Sequence, residues 1–100
     1  MLHIVNKSPF EHSALDSCLR LAKKGSAILL IEDGVLAAQK GTSLNAKVAA
    51  ATETFEVFAL GPDLKARGLD EGRLITGIRV VDYGGFVDLV VERGTTQSWL

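Results

Sequence analysis

The sequence has little of what builds a self-sufficient active centre. One cysteine, Cys18, stands in 100 residues with two prolines, one tryptophan and one tyrosine. A lone cysteine excludes an internal disulfide and a cysteine-rich metal site, and it fits a reducing compartment. The opening Met1-Leu2-His3-Ile4 has no basic segment followed by an apolar one, so a cytoplasmic location is expected. Charge of one sign is missing as well: 11 Lys and Arg offset 12 Asp and Glu, for a formal net charge of −1. That removes the broad basic field by which a protein binds nucleic acid unaided. No apolar run reaches the length needed to span a bilayer, and no Ser-, Gly- or Pro-rich tract marks a linker. What is present is apolar material, 47% of the residues. A chain of this size buries roughly 60–65% of its extended surface, so a single domain over 1–100 needs no metal or disulfide to fold.

Periodicity then orders the chain. Leu2-His3-Ile4-Val5 reads as a strand ended by Asn6-Lys7-Ser8-Pro9. A helix follows, starting either at Ser8, with Pro9 and Glu11, or at Ser13, with Asp16. Its apolar face is Leu15, Cys18, Leu19 and Ala22, and Gly25 is the expected C-terminal cap. Ala27 to Ile31 is apolar without alternation, the pattern of a strand covered on both faces. Alanine-rich segments predict a short helix over Val35–Gln39 and a longer one over Ser43–Thr52. Phe55–Leu60 reads as a strand, Asp63–Gly68 as one helical turn capped by Asp63, and Ile78–Val81 as a fourth strand broken by Asp82-Tyr83-Gly84-Gly85. Phe86–Glu92 reads as a helix, because Asp88 and Glu92 share one helical face, and the tail from Thr95 to Leu100 as a short strand or packed extension. Strands alternating with helices predict an α/β fold, an open and mostly parallel sheet of four to five strands flanked by helices.

Ligands of such a sheet meet the carboxyl ends of its strands, here Asn6-Lys7-Ser8, Glu32-Asp33-Gly34, Gly61-Pro62-Asp63 and Asp82-Tyr83-Gly84. None carries a glycine-rich phosphate loop, so no nucleotide or other cofactor is expected. His3 and His12 without a second cysteine make no metal site. Glu32 and Asp33 are adjacent rather than facing, which gives no acid/base pair. Cys18 is the only thiol and hence the candidate covalent carrier, but it sits mid-helix on the apolar face, where burial is the ordinary outcome.

Several strings, in order, carry a resemblance. Leu2-His3 through Asn6-Lys7-Ser8-Pro9-Phe10, Leu29-Leu30-Ile31-Glu32-Asp33-Gly34-Val35 with Ala37-Ala38, Ala59 to Gly68, Val81-Asp82-Tyr83 with Phe86-Val87-Asp88-Leu89, and Gln97-Ser98-Trp99 resemble the DsrH/TusB family. The resemblance implies a DsrE-like fold and a subunit of a DsrEFH/TusBCD-type sulfur relay. In such a relay DsrE/TusD-like, DsrF/TusC-like and DsrH/TusB-like subunits assemble as a dimer of heterotrimers. They pass persulfide sulfur to a DsrC/TusE-like carrier, without contacting membrane or nucleic acid. It further implies that the main acceptor cysteine belongs to the DsrE/TusD-like partner, with Cys18 a candidate persulfide site. Because Cys18 resembles the helix-one cysteine of the sulfur-oxidation branch, and the stretch from Gly61 to Gly68 is similar to that branch too, sulfur oxidation is the leading expectation, and tRNA 2-thiouridine synthesis or a purely assembling role with a structural Cys18 are the alternatives.

Overall fold

The structure, a computed structural model, describes residues 1–99. The chain alternates β1 (Leu2–Val5), α1 (Ala14–Leu21), β2 (Ala27–Leu30), a 3-10 helix (Glu32–Ala38), α2 (Asn45–Thr54), β3 (Glu56–Leu60), α3 (Gly61–Ala66), a 3-10 turn (Glu71–Arg73), β4 (Arg79–Val81), α4 (Tyr83–Arg93) and β5 (Thr96–Trp99). The five strands form one sheet in the order β4-β3-β2-β1-β5, and every pairing is parallel. The expected α/β sheet is therefore present, with five strands. β1 lies where expected, and β2, β3 and β4 each fall within one residue of the expected bounds.

The two faces are covered unequally. β1 to β4 step in one direction across the sheet, and α1, the Glu32–Ala38 helix, α2 and α3 cover one face over a core of Val5, Leu15, Cys18, Ile28, Leu30, Val57 and Ala59. From β4 the chain returns across the whole sheet to β5, beside β1, and α4 lies on the opposite face over Leu2, Ala27, Leu29 and Phe58. β2 is buried along its full length, which is why its sequence shows no alternation.

Of the two expected starts of α1 the structure has the second: the helix begins after Ser13, and Ser8 closes a turn in which its carbonyl accepts from His12 N–H at 3.0 Å. Four other local expectations are corrected. The helix ends at Leu21 with Ala22 extended, so Gly25 is no cap; it takes φ +87° at the turn into β2, and its N–H donates to the Thr54 carbonyl. The segment expected as a helix over Val35–Gln39 is a 3-10 helix that starts three residues earlier, at Glu32. Asp63 does not cap its own helix, which begins at Gly61 with Pro62 in the first turn; its Oδ2 accepts from the Glu32 N–H at 2.6 Å. Helix α4 starts at Tyr83, earlier than Phe86, because Asp82 acts as its N-cap and accepts from Gly85 N–H at 2.7 Å. The tail forms β5, and Leu100 lies outside the described residues.

Candidate functional site

At the carboxyl edge of the sheet the chain is tied together tightly. Ile31 N–H donates to the Val5 carbonyl at 3.0 Å, and a Cβ on Gly34 would come within 2.2 Å of that same oxygen. Only glycine permits this approach of the 3-10 helix to the end of β1. Glu32, just before it, holds φ +49°, a left-handed conformation that costs a non-glycine residue about 1 kcal/mol. The Asp63 carboxylate holds the Glu32 amide, and Arg67 pairs with Asp33 at 3.0 Å while donating to the Asp63 carbonyl. Glu32, Asp33 and Asp63 therefore belong to one network that pins α3 to the 3-10 helix. Among the described residues Arg67–Asp33 is its one ion pair, and Asp63 is engaged by a backbone amide, which makes the network a clamp.

Cys18 lies elsewhere. On the inward face of α1 it is fully buried among Val5, Leu15, Ile28 and Leu30. Burial pushes its thiol up to about 12. At neutral pH a thiol with that value is ionised in about one molecule in 100,000. A persulfide donor would have to reach a sulfur that no solvent touches.

His3 is also buried, on the α1 face of β1. Its Nδ1 accepts from the Trp99 Nε1–H at 3.0 Å, and the rings lie 6.0 Å apart at 40°. An indole nitrogen only donates, so Nδ1 carries no proton and the neutral ring holds its proton on Nε2, which has no partner among the described residues. Desolvation, followed by the charge of the amino terminus, lowers the His3 pKa below its ordinary value. The structure brings together His3 and Trp99, and Glu32, Asp33 and Asp63, while Cys18 lies in the apolar cluster against which Trp99 packs. His12 is exposed, with no side-chain partner among the described contacts. Reading the chain segment by segment missed Trp99 as the partner of His3; the pair is 96 residues apart in sequence, and only the return of β5 to β1 joins them.

A cleft of about 460 Å³ runs beside α3 and β4, lined by Leu64, Lys65, Leu69, Asp70, Glu71 and Val80. It lies near the point where connections switch from one face of the sheet to the other, the general position of ligand sites in such sheets. Among the described residues, no three of His, Cys, Asp and Glu are grouped to hold a metal ion, and no helix is long and apolar enough to cross a membrane.

Comparison with known proteins covers the whole fold. The family model "DsrH like protein" matches residues 7–96. Relatives named Protein TusB share 35% identity over 99 residues in Pectobacterium parmentieri, 40% over 104 in Enterobacter sp. (strain 638) and 39% over 101 in Escherichia coli O1:K1 / APEC, each covering 99% of this chain and 100% of the relative. Among solved structures, the ychN protein from E. coli superposes with a TM-score of 0.85 at 18% identity, covering 98% of this chain and 97% of its own. MTH1491 from Methanobacterium thermoautotrophicum, a protein of unknown function, gives 0.75 at 21% identity, with 97% and 95% covered. At these identities the structural likeness establishes the fold alone.

Proposed function

The chain belongs to the DsrH-like family, and on that premise we propose that it is the DsrH/TusB-type subunit of a multi-subunit sulfur relay. Within that relay it serves the branch that thiolates the wobble uridine of tRNA. The observation that carries this reading is the end-to-end match to relatives named TusB at 35–40% identity. The sulfur-oxidation branch, the leading expectation from Cys18 and the Gly61–Gly68 stretch, becomes the second reading, supported by those two features. The partners are the DsrE/TusD-like and DsrF/TusC-like subunits, in a dimer of heterotrimers, and the acceptor downstream is a DsrC/TusE-like carrier.

The chemistry of a relay is simple. A thiolate attacks the outer sulfur of a donor persulfide, the S–S bond breaks, and the donor leaves as a thiolate while the acceptor becomes the new persulfide. No electrons enter or leave. The attacking group must be an accessible thiolate, and the buried Cys18, its thiol pushed up to about 12, is poorly suited to that part. We therefore assign the transferring thiol to a partner and Cys18 to the packing of α1.

Two measurements test this. After incubation of the assembled complex with a persulfide donor, intact-mass spectrometry should show additions of about 32 Da per sulfur atom on a partner and none on this chain; an addition on Cys18 would overturn its packing role. In cells, deleting the gene should deplete 2-thiouridine in tRNA. Unchanged 2-thiouridine with impaired sulfur oxidation would select the second reading.

A further inference from the structure

Helix α4 has a buried side and a second apolar side. Leu89, Phe86 and the half-buried Arg93 face the sheet, where Arg93 pairs with Glu56. On the outside, Tyr83 is 61% exposed, Val87 59%, Val90 36% and Val91 77%. Spaced at i, i+4, i+7 and i+8, these four lie within about 60° of Val87 around the helix axis and form one stripe about 12 Å long. Gly84 lies on the edge of the stripe and adds no bulk. Asp88 and Glu92 flank it on one side only, about 100–140° round from Val87. Water-facing helix positions are ordinarily polar, and valine is a poor helix former, so propensity does not explain three exposed valines here.

We propose that this stripe is the seat of a helix from a different protein chain, apolar along the contact and carrying Lys or Arg on the flank that meets Asp88 and Glu92. A second copy of this chain fits poorly for two reasons. Paired antiparallel about a two-fold axis, two α4 helices set the Asp88/Glu92 flank against its own copy; paired parallel, they offer that flank Phe86 and the already paired Arg93. The stripe also exposes only on the order of 400 Å² per protein, so a symmetric pair through it alone falls short of the roughly 1,200 Å² of a stable interface. It suits one contact within an assembly of several subunits. The inference rests on the relay reading, in which the occupant belongs to one of the partner subunits.

The test is a competition. Wild-type and variant chains, distinguished by mass, are co-expressed with the TusC-type and TusD-type subunits, and the share of each in the assembled complex is read by native mass spectrometry. Val87→Asp with Val91→Asp places charges at already exposed positions, so the isolated variant should melt as the wild type does, and it should lose the competition by at least about thirtyfold. Asp88→Lys with Glu92→Lys should lose by about tenfold, and by less at high salt. Equal incorporation of the valine variant, or better incorporation of the lysine variant, overturns the proposal while leaving the relay reading intact. So does a dimer of the isolated wild-type chain that the valine variant cannot form. If the wild-type chain joins neither subunit, the relay reading falls and the proposal with it. Should the double aspartate variant misfold, Val91→Ser and the lysine variant decide the outcome.

Discussion

His3 holds its place as a neutral base. The bond from Trp99 requires an unprotonated Nδ1, and the ring is buried and close to the positive amino terminus, so the folded state takes up a proton less readily than the unfolded chain does. With the folded pKa lowered below 6.5, the stability that this group contributes is fully present above about pH 6.5 and is lost as pH falls through the folded value. Lowering the pH from about 7.5 to about 5.5 should therefore reduce the urea midpoint of the wild type more than that of His3→Gln, whose amide cannot titrate. Parallel curves for the two proteins would show that His3 is not the responsible group. Cys18 is a different kind of buried residue, for its environment asks only for volume. Cys18→Ala should cost about 1–2 kcal/mol by leaving a small void in the core, without altering pH dependence in this range.

At the scale of elements, Asp82 decides where α4 starts. Its carboxylate satisfies the Gly85 amide, and the helix can begin on Tyr83 and two glycines, residues that on propensity alone break a helix. Asp82→Ala should lower stability by about 1 kcal/mol, seen as a lower melting temperature; a change indistinguishable from zero would mean that the first turn is held by packing of Phe86 alone. The same helix shows how far the sequence could be read. Its later turns were legible because Asp88 and Glu92 recur at helical spacing, whereas its start was obscured because Asp-Tyr-Gly-Gly is both a turn signal and a capped first turn. Asp63 misled for a related reason: it stands where a cap belongs but reaches across to Glu32, 31 residues away, a choice made by tertiary contact. The parallel sheet was legible from its alternating elements, and the burial of Cys18 from its place on the apolar face of α1. The pairing of His3 with Trp99 was beyond reach of local pattern, since it depends on β5 closing against β1.

For the whole molecule, the unequal division of helices between the two faces has a thermodynamic consequence. One face is sealed by three α-helices and a 3-10 helix over a large cluster, the other by α4 alone over Leu2, Ala27, Leu29, Phe58 and Leu89. The strand that follows α4, β5, is an edge paired only with β1 and largely exposed. Together they form a C-terminal unit with few buried side chains of its own, so it should open below the free energy of global unfolding. Native-state hydrogen exchange should find the amides of Leu89 and Gln97 exchanging by such a partial opening, while those of Leu29 and Phe58 in the central strands wait for global unfolding. If all four exchange at the same free energy, α4 and β5 are integral to one cooperative unit and the asymmetry of the two cores has no energetic expression. A partner helix on the Tyr83–Val91 stripe binds the closed form only, so assembly should raise the protection of Leu89 and Gln97 selectively, towards that of the central strands. The face with the thinnest cover is then the one completed by another chain, and the least stable part of the isolated subunit is the part that assembly stabilises most.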